Sequence, residues 1–547
     1  MSSDITEPTL PATEGQMAEI EDAQLGFARG GEGGATGKTG FAWAWFEWAR
    51  NPYYILIVIY IFAPYFARDI IGGNLLASGA LDGMDPAKAQ AVAGAQGQAT
   101  VAGVTKWAGL IAALTAPFLG AAFDRGLRRK LFLFVCLATM AVASFMLWWA
   151  MPGGQGLSVP MIMACLIVAY VAYTYSEVAH NSMLSDAARP EALPGVSGLG
   201  LALGNGAATL MFIAIVLLFA LPDVMHWPLP EAAFGIDTSK FEQFRLAGPL
   251  CAVWIALMIY PFFRYSKDTG IKGTPIIPAF RDGVRGVINT VKRASEHREA
   301  FKFLIARTLY ADGMAALLAV GAVYVSLFLG WGLIELTVYA IWASMWAVVG
   351  GIFGGWLDRR MGPKNALIFE LSAIVVVMFY GLSITKETIL FGLIPNVELF
   401  DWPYFGTLSD LAYLVQGMLI AIFATANISS SRSMVVHVAP PHMRGEFFGL
   451  FAIAGTITVW MGPLLIEYFT KWSQDQRIGM SAIALLFFLG LAMLTTINAK
   501  DRPASVRRPA AGVSSLSLRV LRLARSHADI SWSARVTCRH YCRYASG

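Results

Sequence analysis

Several charged and polar side chains sit where apolar sequence surrounds them. Glu47 and Arg50 stand three residues apart in the run Trp43-Ala44-Trp45-Phe46-Glu47-Trp48-Ala49-Arg50-Asn51-Pro52-Tyr53. On a helix that spacing puts them on one face, where they can pair. Arg307-Thr308-Leu309-Tyr310-Ala311-Asp312-Gly313 places an acid about 16 Å into a helix counted from Phe301, at 1.5 Å per residue. Glu177 and Asn181 share a face at i, i+4, Asn205 lies inside another apolar run, and a further run carries Gln416, Asn427, Ser429 to Ser431 and Arg432. A charge inside a membrane helix costs about 2.5–3.5 kcal/mol on insertion scales, so it needs a partner, a cation or a proton. Glu47, Glu177 and Asp312 are thus candidates for proton or cation coupling. Arg50 and Arg307 are candidates for a solute carboxylate or for internal ion pairs. Asn51, Tyr53, Asn205, Tyr310 and Gln416 are candidate lining residues. Snorkelling of Glu47 and Arg50 to the interface and a purely structural ion pair at Asp312 are the competing readings. Lys106 is expected to snorkel outward.

The elements that must hold these residues are membrane helices. The chain has 547 residues, 56% of them hydrophobic and 14% charged, against roughly 25% charged in a soluble domain. Its mean hydropathy is +0.57. That composition excludes a soluble enzyme, a disordered scaffold and a nucleic-acid binder. A span needs about 20 mostly apolar residues. Twelve fit: 45–71, 101–123, 131–151, 158–182, 197–221, 245–264, 301–330, 334–357, 365–385, 407–431, 447–468 and 478–498. Cys136, Cys165 and Cys251 lie in apolar runs and read as core residues. His180, His437 and His442 lack metal-ligand spacing, so no metal and no bound cofactor is expected. Gly30-Gly31-Glu32-Gly33-Gly34 lacks the strand and the Lys-Ser/Thr of a phosphate loop.

Charge alternates between spans. Arg125, Arg128, Arg129 and Lys130, then Arg189, Arg264 to Lys302, Arg359, Arg360 and Lys364, and Arg444 mark one set of loops. Asp82, Asp85, Asp223, Glu231, Asp237, Glu387, Glu398 and Asp401 mark the other. Basic loops stay in the cytoplasm, which puts both termini there, as an even number of spans requires. The expected organisation is a tail over 1–40, a six-helix bundle over 41–265, a basic linker over 266–300 on the lipid surface, a second bundle over 301–500 and an Arg-rich tail over 501–547. No signal peptide is read before the first span. Residues 503–547 hold eight Arg and one acid, a composition foreign to what precedes it, as in a frame-shifted end.

The second half echoes the first. Ala49-Arg50-x-x-Tyr53 returns as Ala306-Arg307-x-x-Tyr310. Gly120-x-x-x-Asp124-Arg125 returns as Gly354-x-x-x-Asp358-Arg359. Ser182-Met183, Ala188, Pro190, Gly198-Leu199 and Gly204 return as Ser433-Met434, Ala439, Pro441, Gly449-Leu450 and Gly455. Two six-span halves inserted in the same direction are the parallel repeats of secondary transporters, with the solute site between them near the midplane.

Gly120-x-x-x-Asp124-Arg125-Gly126-x-Arg128-Arg129-Lys130 resembles the inner loop between spans 2 and 3 of the major facilitator superfamily. In that reading Gly120 lets two helices approach, Asp124 and Asp358 accept hydrogen bonds from the neighbouring bundle, and Arg125, Arg128, Arg129 and Arg359 complete an inner gate. The span 1 run, Val196 to Gly204, Tyr310-Ala311-Asp312-Gly313 and Ser431-Arg432-Ser433 with Glu446-Phe447-Phe448-Gly449-Leu450 together resemble the vacuole-effluxer-like branch of that superfamily, which includes yeast autophagy-related amino-acid exporters. Glu47, Arg50 and Ala311 depart from its usual Asp, Asn and Asn.

The resemblance implies an all-α membrane protein of twelve helices in two pseudo-symmetric bundles, and a permease with no enzymatic activity. It would move a small polar solute, amino-acid-like, by alternating access, using a proton or sodium gradient, as a monomer among lipids in a bacterial inner membrane. A glycoside–pentoside–hexuronide:cation symporter, and a transporter-like solute sensor, are the alternatives.

Overall fold

The computed structural model describes residues 37–498, apart from 125–127, 184–186, 188–192, 223–225, 227, 267–287, 290, 294, 403, 440–446, 448–449, 452–453, 456–457. Residues 1–36 of the expected N-terminal tail, the C-terminal tail and most of the expected linker lie outside the described residues; the last three residues of the expected N-terminal tail already belong to the first helix, which begins at Lys38.

Helices dominate. In chain order the long ones are α1 (Lys38–Ala77), α2 (Pro86–Asp124), α3 (Arg129–Met146), α4 (Val159–Asn181), α5 (Leu193–Ile215), α6 (Glu242–Tyr265), α7 (Arg298–Phe328), α8 (Leu333–Met361), α9 (Pro363–Leu382), α10 (Leu408–Val438), α11 (Met461–Ser473) and α12 (Gln476–Thr495). Ten of these segments are long and apolar enough to cross a membrane among the described residues. The other two, α2 and α11, fall on the expected second and eleventh spans. Between α9 and α10 a two-residue-per-strand hairpin pairs β1 (Thr388–Ile389) with β2 (Ile394–Pro395).

Local sequence explains the shapes. Pro52 and Pro64 remove two backbone donors inside α1, and the helix answers with wide i→i+5 turns over Tyr53–Tyr60 and Phe66–Gly72. Pro363 opens α9 at its first position, where no donor is needed. Thr407 and Asp410 cap α10 reciprocally, each side chain accepting from the other's backbone N–H at 3.2 Å.

Glycines set the closest crossings. A Cβ on Gly354 in α8 would stand 2.7 Å from the Cα of Ala426 in α10, and one on Gly97 in α2 would stand 2.3 Å from the carbonyl oxygen of Ala67 in α1. Small residues of this kind let membrane helices touch backbone to backbone.

The end where α1 begins carries the basic connections; the opposite end carries the acidic ones. At that far end the two halves of the chain meet directly. Arg68 donates to the Trp331 carbonyl at 3.2 Å. Gln98 in α2 donates to Thr470 of α11 at 3.1 Å and to the Gln476 carbonyl at 3.0 Å. Deeper in, Lys106 of α2 pairs with Glu467 of α11 at 2.6 Å. Lys106 therefore does not snorkel into lipid. It is mostly buried, because an acid on the facing helix gives its ammonium a partner inside the protein.

Candidate functional site

Each half of the chain holds one polar cluster. The first is built on α1 and α4. Arg50 is buried, and its guanidinium meets both Glu47 carboxylate oxygens at 2.9 Å. It also donates to the Tyr173 carbonyl at 3.3 Å and lies 4.2 Å over the Tyr173 ring. Glu177 stands 3.8 Å from Arg50 and keeps 47% of its side chain exposed. The i, i+3 pair expected from sequence thus exists inside the protein, and Glu177 joins it. Its desolvation is offset by one guanidinium nitrogen meeting both Glu47 oxygens and by a second meeting the Tyr173 carbonyl, while Nε has no partner among the described residues.

His180, weighed in the sequence only as a metal ligand, completes this cluster. Its Nε2 is 2.9 Å from the Trp43 carbonyl, its Nδ1 3.3 Å from Glu47, and its ring stacks 4.1 Å from both Trp43 and Phe46. The available signal was its helical spacing of three from Glu177. Tyr53 is buried 5.7 Å from Tyr173. Tyr54, unremarked in the sequence, stacks on Tyr173 at 5.1 Å and on Tyr170 at 6.1 Å. Asn51 does not join them; it packs against α5, where a Cβ on Gly204 would touch it. Asn205, one residue on, is exposed.

The second cluster is built on α7 and α10. Asp312 is the fifteenth residue of the 31 in α7 and is buried. Its Oδ2 accepts from the Gly462 backbone N–H at 2.8 Å, and its Oδ1 has no partner. No cation pairs with it among the described residues. Arg307, the repeat counterpart of Arg50, differs in the same way. Its guanidinium lies 4.2 Å over Phe451 and 5.8 Å over Tyr310. Arg432 repels it rather than an acid attracting it. The Tyr310 hydroxyl is hydrogen-bonded to Ser431 at 2.8 Å. The sequence repeat is therefore broken in charge: Arg50 is paired with an acid, and Arg307 is not among the described residues.

Gln416 lines a separate cavity of about 50 Å³ with Tyr60, Leu317, Tyr324, Tyr339 and Tyr413. Its Oε1 is unpartnered there, and the volume exceeds the ~10–15 Å³ that one water needs.

Of the gate residues, Gly120 and Asp124 lie in the last turns of α2. Arg125 is outside the described residues. Arg128 is exposed where α3 begins, and Arg129 donates to the Phe123 carbonyl at 3.5 Å. In the second copy Gly354 makes the α8–α10 crossing, Asp358 is half-buried and Arg359 exposed. Among the described residues no cluster of three or more His, Cys, Asp or Glu is arranged for a metal ion.

The helix arrangement, with a family match over most of the chain, makes this a transporter of the major facilitator superfamily. The structure of a D-xylose-proton symporter has the same fold, with a TM-score of 0.53 over 84% of this chain and 97% of that one, at 9% identity. Residues 36–503 match the family described as "Vacuole effluxer Atg22 like", and the chain belongs to it. It is 23% identical to an uncharacterized MFS-type transporter, YxiO of Bacillus subtilis (strain 168), over 83% of this chain and 94% of that one. It is 21% identical to Autophagy-related protein 22-2 of Emericella nidulans over 56% of this chain and 51% of that protein.

Proposed function

We propose that the protein is a proton-coupled permease that carries a small amino-acid-like solute by alternating access, in a bacterial inner membrane with both termini cytoplasmic. The observation that carries this reading is the charge imbalance between the two clusters. Arg307 and Arg432 offer two guanidiniums with no carboxylate paired to either among the described residues. Guanidinium recognises a carboxylate in a planar, two-point fashion. In the other half Glu177 offers a half-exposed carboxylate whose arginine is already engaged by Glu47. A zwitterion satisfies both. Asp312, buried without a cation, is the group suited to take up and release a proton as the halves rock. Arg50, bound to Glu47, holds the first cluster together, while Tyr53 and Tyr310 shape the two faces.

The contacts of Arg68, Gln98 and Lys106 support a conformation closed at the far end and accessible from the end with the basic loops. The test uses purified full-length protein in proteoliposomes with an imposed proton gradient. Labelled amino acids, sugars and uronates are offered separately. Accumulation of an amino acid, lost when the gradient is collapsed, is the expected result. Accumulation of a sugar instead would overturn the solute assignment, and solute binding without any movement of label would make the protein a sensor.

A further inference from the structure

The acids of the first cluster each have a cation. The second half holds another acid of a different kind. Glu370, the eighth residue of α9, is fully buried. Its Oε1 accepts a hydrogen bond from the Ser430 hydroxyl of α10 at 2.9 Å, and its Oε2 has no partner. The charged or titratable groups that act on it from the packed helices are Asp358 of α8 and Tyr310 of α7. Neither is a cation. Ala484–Thr495 of α12 contributes no titratable side chain. A carboxylate in that place would be taken out of water opposite a second acid, with nothing positive beside it, so the neutral form is the one the site suits.

Beyond Tyr310 stands Arg307, whose Nε has no partner. The Tyr310 hydroxyl is held by Ser431, next in sequence to the Ser430 that holds Glu370. Among the described residues, a buried acid without a cation and a guanidinium without an acid are thus separated by one tyrosine and its hydrogen bond.

We propose that Glu370 is a second proton-carrying group of this transporter, protonated in the conformation described here, and that loss of its proton draws Arg307 past Tyr310 into an ion pair with it. With the proton on Glu370, Arg307 faces the solute. With the proton gone to water, Arg307 turns to the Glu370 carboxylate and lets the solute go. The only bond broken or made is the O–H of the carboxyl group. The proposal rests on the coupled-transport reading above and adds the residue that links the proton to solute release.

The test is infrared spectroscopy of the full-length chain in lipid nanodiscs, following the C=O stretch of protonated carboxyl groups through a pH titration. Glu370→Gln should delete one component of that band at neutral pH, leaving a remainder that disappears only when Asp312→Asn is added. Ser430→Ala, which removes only a hydrogen bond, should shift the Glu370 component in frequency. Arg307→Ala should move the loss of that component to higher pH, because the carboxylate has then lost the cation that would receive it. A band of full intensity in Glu370→Gln, or no response to Ser430→Ala, would overturn the assignment. A titration unmoved by Arg307→Ala would overturn the ion-pair step. If instead wild-type transport ignores a collapsed proton gradient, the coupling reading fails while the infrared result still decides whether Glu370 holds a proton.

Discussion

Lys106 in α2 and Glu467 in α11 form an ion pair 2.6 Å long between opposite halves of the chain, with 15% and 13% of their side chains exposed. Any motion that parts the halves at the far end must break it. Glu467 keeps a second cation, Lys471 at 2.7 Å, on its own helix, so losing Lys106 leaves the acid partly compensated. Lys106→Met should therefore favour the far-open conformation more than it unfolds the protein. A coupling of about 1–3 kcal/mol corresponds to a change of about 5–150-fold in population. A cysteine replacing Gly321, which lines the cavity beside Gln416 and has open space at its Cβ position, reports this in a background without the other cysteines. An impermeant maleimide added from the far side should react faster in Lys106→Met, and exchanging the two charges should slow it again. Equal rates would mean that the pair does not hold the far end shut.

The α8–α10 crossing predicts opposite outcomes for neighbouring glycines. A Cβ at Gly354 meets the Cα, carbonyl oxygen and Cβ of Ala426 at 2.7, 3.0 and 3.1 Å; a Cβ at Gly355 meets nothing nearer than the end of Arg359 at 3.7 Å. The obstacle at Gly354 is largely backbone and cannot rotate away. Gly354→Ala should destabilise by about 1–3 kcal/mol through overpacking. Gly355→Ala should be neutral or stabilise by up to about 1 kcal/mol through helix propensity. Thermal unfolding in one detergent compares them, and equal melting temperatures would contradict the crossing described.

Much of the fold was readable because membrane helices announce themselves by length and apolarity, and the repeat fixed which helices correspond. The Glu47–Arg50 pair was readable because both partners sit three apart on one helix. Partners on distant helices were not. Lys106 looks like an interfacial lysine until Glu467 is placed beside it. Glu370 follows Pro363 and Lys364 closely enough to read as a charge at the membrane surface, and only Ser430 packing onto it from α10 reveals burial. Asn51 and Asn205 show the converse limit: a polar residue in an apolar helix faces cavity, lipid or a neighbouring glycine, and periodicity does not separate these.

Arg50 should be more sensitive than its charge alone suggests. One of its nitrogens meets both Glu47 oxygens, another the Tyr173 carbonyl, and the guanidinium stands 4.2 Å over the Tyr173 ring; a single ammonium cannot make all three contacts. Arg50→Ala leaves the partly buried Glu47 with only His180 as a basic neighbour among the described residues, a change expected to cost less than the ~3–5 kcal/mol of a fully buried pair. Arg50→Lys should fall between that variant and wild type, and Glu47→Gln with Arg50→Met should recover part of the loss by removing both charges. Chemical or thermal unfolding of the four proteins forms a double-mutant cycle. Strict additivity would show that the pair contributes no coupling to stability.

Asp312 and Arg307 divide the labour of transport differently, and their variants separate it. Asp312 touches only a backbone donor, Gly462 N–H at 2.8 Å, and an asparagine that turns its carbonyl oxygen to that donor keeps the contact while removing the acid. Asp312→Asn should retain its fold and its solute binding. It should carry out exchange of internal for external solute but fail to accumulate solute against a gradient, because exchange needs no net proton movement. Arg307 touches rings and no acid among the described residues, so Arg307→Ala should melt close to wild type while solute binding weakens. The loss expected for one hydrogen bond to a charged group is about 1.5–3 kcal/mol, or roughly 10–150-fold in affinity. Equilibrium binding and counterflow assays on both variants give the answer. Unimpaired accumulation by Asp312→Asn would remove it from coupling. An Arg307→Ala protein that binds normally but melts early would make that arginine a packing residue.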